Sequence, residues 1–342
     1  MKALVKYSRG HGHMEIREMS PPSPGYGEAL VRVSRAGLCG SDLHIFEDRI
    51  AIPIRVPVVL GHEFCGRVRA VGDGVDPAWV GRRVTAMPSV RVCGRCRYCR
   101  EGALNLCASR ESMGYWHDGA FAPECVVPER CLRSLPDGVE DDAATLCEPL
   151  ACAVHAVDEV TAIKAGTTVA IIGPGTIGLL CLQVALAAGA QVAVYGTPRD
   201  AHRLQLADQL GAQATSVEAP AYEGDLRTDG DNVEVVFECS GHAEGAALGL
   251  RLTRRMGHYT QIGLFGEPPM LDFDTTVVAR ELTIRGSFGQ RPSSWDRALE
   301  LLAQGFVDPT ALITHVLPLE DWEAGFEICR SGRAGKVVFD VG

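Results

Sequence analysis

The sequence predicts an α/β protein of two domains, a β-rich, loop-rich one followed by a doubly wound parallel sheet. Three observations carry that expectation. Residues 1 to about 150 hold short alternating runs, such as EALVRVSRAG and GRRVTAMPSV, punctuated by Gly and Pro. From about residue 160, strand-like and helix-like segments alternate, the pattern of a parallel sheet covered by helices. At the first of these junctions lies Gly173-Pro174-Gly175-Thr176-Ile177-Gly178, a GxGxxG between an apolar strand and an apolar helix.

The chain of 342 residues holds enough apolar mass for two cores, with 46% hydrophobic and 22% charged residues. A net charge of −10 repels phosphate backbones, so no nucleic-acid partner is expected. The start, MKALVKYSRG, contains no apolar signal segment. Thirteen cysteines, an odd count with one tight cluster, argue against a disulfide framework and for a cytoplasmic setting. Residues 168–195 are apolar for long enough to resemble a membrane span. Gly173, Pro174 and Gly175 interrupt that run and Gln183 and Gln191 lie inside it. Two buried strands joined by a helix give the same texture, so no membrane partner is expected.

In chain order, the second domain is predicted to hold strands at TTVAIIG, QVAVYG, EVVFECSG, HYTQIGLFG and LTIRGSFG. Helices are expected over Ile177–Ala188, Asp200–Leu210 and Ala243–Arg254. After Trp295, a helix at DRALELLAQG and a strand at KVVFDVG return the chain to the first domain. The predicted division is therefore 1–155, 156–295 and 296–342.

Chemistry is densest in CGRCRYCREGALNLC, where Cys93, Cys96, Cys99 and Cys107 fall within one loop. Two-residue gaps let successive thiolates curl round one ion, and four of them make a closed tetrahedral zinc site. Such a site is structural. The interleaved Arg95, Arg97 and Arg100 are read as a solvated face.

The glycine-rich turn predicts a dinucleotide site. Gly173 permits the tight turn, Gly175 admits a pyrophosphate to the backbone, and Gly178 lets helix and strand pack closely. The helix start at Thr176 and Ile177 supplies amide donors for the phosphates, with Pro174 shaping the turn. The next strand ends VAVYGTPRDAHR, and Gly196 stands where an acid would hold the ribose hydroxyls of NAD. Its absence opens the position to a 2′-phosphate, with Thr197, Arg199 and Arg203 as ligands. This favours NADP(H) and leaves NAD(H) open, through an Asp200 folded back to the ribose. Ser240 and Ile262-Gly263-Leu264 end later strands and are expected to face the cofactor, as is Phe288.

Three further segments bear metal-type ligands: Cys39-Gly40-Ser41-Asp42-Leu43-His44, Gly61-His62-Glu63, and Cys147-Glu148-Pro149. Thiolate, imidazole and carboxylate suit zinc, but the segments are far apart and spacing cannot show that they meet. Cys39 as a small buried residue, His62 as a core histidine and Glu148 as a helix cap stand as alternatives at this point.

CGSDLHIF at 39–46, GHEFCGRV at 61–68, the four-cysteine loop, EPLACAVHA at 148–156 and GPGTIG occur together and in order. In this the chain resembles the zinc-dependent medium-chain alcohol dehydrogenases, within them the sorbitol (polyol) and L-threonine dehydrogenase branch. The resemblance implies a GroES-like catalytic domain carrying both zinc sites and a Rossmann cofactor domain. It implies Cys39, His62 and Glu63 as catalytic zinc ligands, with Glu148 completing or gating the site. Which of Glu63 and Glu148 binds directly is left open, and Cys147 and Cys152 are the neighbours most easily mistaken for ligands. Ser41 and His44 match the family's proton-relay pair. The implied reaction is hydride transfer between a secondary alcohol and NADP(H), with two zinc ions per chain. L-threonine 3-dehydrogenase with NAD is the alternative, and a non-catalytic cofactor-binding protein is a remote one. The resemblance also implies a homo-oligomer, a tetramer or otherwise a dimer. Ile45, Trp116, Phe121 and Phe288 are candidate linings of the substrate pocket.

Overall fold

The computed structural model describes residues 1–50, 52–217, 233–332 and 334–342. It divides into two compact units. Unit 1 comprises Met1–Glu148, Arg291–Ala303 and Ile313–Gly342; unit 2 comprises Pro149–Gln290 and Gln304–Leu312. The return of the chain is thus split, because Gln304–Leu312 belongs with unit 2.

Unit 1 contains β1 (Lys2–Lys6), β2 (Met14–Glu18), β3 (Glu28–Gly37), β4 (Val58–Val59), β5 (Glu63–Val71), β6 (Arg83–Ala86), β7 (Glu124–Pro128) and β8 (Leu132–Ser134). Unit 2 contains β9 (Thr168–Ile172), β10 (Gln191–Tyr195), β11 (Ala214–Ser216), β12 (Val233–Glu238), β13 (Thr253–Gln261) and β14 (Thr283–Gly286). The chain then returns to unit 1 with β15 (Ile313–Pro318) and β16 (Lys336–Asp340).

The main sheet of unit 1 has the order β15-β16-β3-β5-β6-β8, with β7 also pairing β3. β3 is the hinge of this arrangement, since it bonds β5, β7 and β16 antiparallel. Ala29, Leu30, Val31 and Val33 are buried and Arg32 is exposed, so the strand is covered on both faces near its start and turns a side chain to solvent at Arg32. Register brings Gly37 opposite both Glu63 and Val338, so the ends of β3, β5 and β16 converge.

Unit 2 is one sheet in the order β11-β10-β9-β12-β13-β14, every pair parallel. The chain passes outward from β9 in both directions, so the switch point lies between β9 and β12. β9 is wholly buried, as a strand covered on both faces must be. Helices Thr176–Ala187, Ala201–Gln209 and Ala243–Leu252 match the expected segments except at one end. The last was expected to reach Arg254, but β13 begins at Thr253. The buried Thr253 hydroxyl bonds the Gly249 carbonyl, which ends the helix, and Thr253 pairs with Val233. The strand then bulges through Met256 at φ 58° before resuming register. Among the described residues no helix is long and apolar enough to cross a membrane.

Candidate functional site

The four-cysteine loop folds on itself. The Cys96 amide donates to Cys93 Sγ at 3.3 Å, the Cys99 amide to Cys96 Sγ at 3.4 Å, and the Cys93 amide to Cys107 Sγ at 3.4 Å. The sulfurs of Cys93, Cys96, Cys99 and Cys107 all lie within 4.8 Å of one another. Cys93 and Cys99 are 3.9 Å apart, close to the roughly 3.8 Å that tetrahedral thiolates at about 2.3 Å from zinc require. Amide donors from Arg95 and Cys96 hold the Cys93 thiol well below its usual range, at about 6. Burial and the neighbouring sulfurs of Cys96 and Cys107 push the Cys99 thiol the other way, up to about 12, so an ion would have to displace that proton.

The second cluster is assembled across unit 1. Cys39 caps the helix Gly40–Phe46, His62 ends the turn after β4, and Glu63 opens β5. Their ligand atoms lie within 4.8 Å of one another. Gly61, at φ 90°, turns the chain there against Phe121, where a Cβ would stand 2.8 Å from the Phe121 amide. Glu148, buried near the start of the helix Cys147–Val154, acts on His62 by its charge but is not one of the three. Among the described residues Cys147 is not one of the clustered ligand atoms; its thiol is buried beside Cys65, and burial pushes it up.

Three residues at this site escaped sequence reasoning. Asp42 is wholly buried; its Oδ2 accepts the Cys39 amide at 3.0 Å and its Oδ1 lies 3.9 Å from His62 Nδ1. At that distance it acts on the imidazole by its charge, without a hydrogen bond. Lys336 on β16 forms a buried ion pair with Glu63. Room for that pair exists because residue 37 is glycine: a Cβ there would strike Glu63 and lie 3.1 Å from Lys336 Cε. Tyr115 packs its ring 5.6 Å from that of His62, beside Ser41. The GSDLH spacing signalled Asp42; nothing local signalled the other two.

The electrostatics fit a cation. Burial alone would push the His62 imidazole down, but Cys39, by hydrogen bond and charge, with Asp42 and Glu148, outweighs it and raises it to about 10. Lys336 is likewise raised against the cost of burial, by Glu63 and Cys39. Cys39, Asp42, Glu63 and Glu148 thus converge on one imidazole and one ammonium. A divalent ion on a thiolate, imidazole and carboxylate set balances that excess, and three ligands leave the fourth zinc position open. Ser41 and His44 lie on the adjacent helix three positions apart, Ser41 half-buried and His44 exposed. Ile45 and Phe121 are fully buried, with Phe121 edge-on to Phe339, so they are core and not pocket lining. Trp116 stacks on Tyr115 and stays partly exposed.

In unit 2 the glycine-rich turn joins β9 to the helix Thr176–Ala187, with Gly175 as its cap. A Cβ at Gly178 would collide with the Gly173 carbonyl, whereas one at Gly175 would meet nothing within 4 Å. The first glycine-only contact closes the helix on the strand; the second leaves an open cradle that a pyrophosphate fits. Ser240, Ile262, Gly263 and the exposed Leu264 follow the carboxyl ends of β12 and β13, and Phe288 follows β14. The β10 end is less open than the sequence implied. Asp200 accepts from the Thr197 amide at 3.0 Å and hydroxyl at 2.7 Å, and from Arg203 at 3.1 Å. Two of the three expected phosphate ligands therefore already hold a carboxylate, while Arg199 is exposed.

Residues 25–137 match the family model of the alcohol dehydrogenase GroES-like domain, and residues 176–304 that of the zinc-binding dehydrogenases. The chain belongs to the zinc-containing medium-chain alcohol dehydrogenase superfamily. It is similar to a sorbitol dehydrogenase of Halalkalibacterium halodurans, at 38% identity over 99% of this chain and 98% of the relative. It is also similar to an L-threonine 3-dehydrogenase of Bacillus velezensis, at 37% identity over 99% and 98%. Among solved structures, a zinc-binding dehydrogenase from Sinorhizobium meliloti 1021 bound to NADP superposes with a TM-score of 0.89 at 34% identity, covering 99% of this chain and 98% of that one. This dehydrogenase is zinc-dependent and acts on CH–OH groups with NAD(P). Its architecture is a GroES-like domain joined to a Rossmann domain with a six-stranded parallel sheet.

Proposed function

We propose that this enzyme oxidises a secondary alcohol, a sugar alcohol or related hydroxy compound, with NADP(H), and reduces the matching ketone in reverse. The observation that carries the reading is the convergence of Cys39, His62 and Glu63 beside a helix bearing Ser41 and His44. In this reading those three residues hold the catalytic zinc and Glu148 approaches from the helix behind, while Cys93, Cys96, Cys99 and Cys107 hold a second, structural zinc. When bound, the catalytic ion supplies Lewis acidity that lowers the pKa of an alcohol hydroxyl. A nicotinamide held at the glycine-rich turn would supply the hydride acceptor for the alcohol carbon, and Ser41 Oγ is placed to take the hydroxyl proton. Ser41 relays it, directly or through a bridging hydroxyl, to the exposed His44 imidazole, which exchanges with water. Tyr115 packs beside Ser41 and His62, and the buried Asp42 carboxylate faces the His62 ring with its charge.

Gly196 and Arg199 support NADP(H); of two similar solved structures one is bound to NADP and the other is complexed with NADH. NAD(H) is a second reading, favoured by the placement of Asp200 on Thr197 and Arg203. The L-threonine dehydrogenase relative makes L-threonine the competing substrate. A panel of polyols, amino alcohols and simple secondary alcohols, each with NADP⁺ and NAD⁺, tests the proposal. A polyol turned over faster with NADP⁺ supports it; turnover confined to L-threonine with NAD⁺ overturns it. The enzyme is proposed to act as a homotetramer or dimer, which light scattering of the purified chain reads directly.

A further inference from the structure

β12 ends at Glu238, a carboxylate with no exposed surface beneath the carboxyl ends of the strands. Its main-chain carbonyl accepts the amides of Ile262 and Gly263, both at 2.9 Å. Its Oε1 accepts the Ser240 amide at 2.9 Å and the Ser240 hydroxyl. Its Oε2 accepts the Gly241 amide at 3.0 Å and Gln261 Nε2 at 2.6 Å. Gln261 is fixed in turn, accepting from the Tyr259 hydroxyl at 2.6 Å and donating to the Gly263 carbonyl at 2.7 Å. The loops so gathered touch one another, since a Cβ on Gly263 would lie 2.7 Å from Gly241 Cα. They also touch the glycine-rich turn, since a Cβ on Gly173 would lie 2.8 Å from the Ser240 amide nitrogen.

We propose that Glu238 is the positioning residue of the dinucleotide site, holding the 239–242 and 262–264 loops in register with the glycine-rich turn. This rests on the reading of that turn as a nicotinamide-cofactor site. The residue must be a carboxylate because four donors converge on it and only a group with two acceptor oxygens takes them all. A glutamine at 238 would place an NH₂ against at least one N–H, leaving a buried donor unpaired. The bonds are charge-assisted, which suits a joint that must hold its shape before the cofactor arrives.

The test is Glu238→Gln, followed by cofactor titration through NADPH and NADH fluorescence and by amide exchange of the cofactor-free protein. The expected result is about 10-fold weaker binding of both cofactors, faster exchange at Ser240 and Gly241, and kcat at saturating cofactor changed less than about threefold. Should Glu238→Gln fail to fold, Gln261→Ala removes one donor and leaves the carboxylate, with about threefold weaker binding expected. Unchanged cofactor affinity in the folded variants overturns the role of Glu238 alone. A wild-type chain that binds neither NADPH nor NADH overturns the cofactor site itself and this inference with it.

Discussion

The two clusters of metal-type ligands in unit 1 are built in two different ways. The four-cysteine loop draws all its ligands from residues 93–107, stays half-exposed, and orders its sulfurs with amides of its own turns. The Cys39–His62–Glu63 cluster is drawn from a helix cap, a turn and a strand, is mostly buried, and is surrounded by Asp42 of the capped helix and by Glu148 and Lys336 from further elements. A set of four thiolates is complete and needs only its loop. A set of three must be held by the whole fold, and in return it keeps a position for substrate.

That contrast is sharpest under mutation. Cys39→Ser is expected to lower kcat/KM by about 10³-fold or more, because loss of Lewis-acid stabilisation costs several kcal/mol. Metal analysis of the purified protein should fall from two zinc per chain to one, with far-UV circular dichroism unchanged. Loss of both ions would break the comparison, since it would make the loop depend on the distant site. Asp42→Asn probes the next layer. Removing the charge behind His62 is expected to weaken the catalytic zinc by about 10- to 100-fold, read by chelator competition. The ion of the cysteine loop should leave at its wild-type rate.

The same contrast explains what could be read from the residues. The cysteine loop and the GxGxxG turn are local, so spacing alone announced them. The parallel sheet was legible for a similar reason: each strand and helix carries its own apolar period. Cys39, His62 and Glu63 were reached only through resemblance to a family, since nothing in three distant segments says that they meet. Lys336 could not be found at all. Its role exists because β16 and β5 both lie against β3, and Gly37 leaves the space between them. Glu238 is a similar case: VFECSG reads as a strand end, and the donors that require the carboxylate come partly from β13. Ile45 and Phe121 were misplaced because apolar residues near a site look alike whether they line it or support it.

Cys99→Ser attacks the local site. The loop is expected to lose its ion and its fold, lowering the melting temperature by about 5 °C, since a structural zinc contributes directly to folding. Activity below that transition should change less than about twofold, because no ligand of the catalytic cluster lies in the loop. A large fall in kcat at low temperature would show that the two clusters are coupled after all.

Unit 2 repeats the contrast on a smaller scale. The glycine-rich turn is written in one stretch, whereas the choice of cofactor turns on how Asp200 folds back over Gly196. A Cβ on Gly196 would lie 3.1 Å from Asp200 Cβ, so a larger residue there would displace this contact. Burial alone would raise the Asp200 carboxyl, but the Thr197 amide and hydroxyl and the Arg203 guanidinium outweigh it and hold it below 3.8. A carboxyl depressed in the folded chain stabilises fully above its unfolded value, and that contribution is lost as pH falls through the lower folded one. The Thr197 amide resonance is therefore expected to titrate with a midpoint below 3.8, and a midpoint at or above it would mean the cap does not hold in solution. At neutral pH the group is an anion beside the site proposed for the 2′-phosphate. Asp200→Ala frees Thr197 and Arg203 and is expected to shift the NADP⁺ to NAD⁺ ratio of kcat/KM by about three- to fivefold toward NADP⁺, the size of a partly exposed charge interaction. A selective collapse of NAD⁺ use, with NADP⁺ unmoved, would instead make Asp200 the ribose ligand and NAD(H) the cofactor.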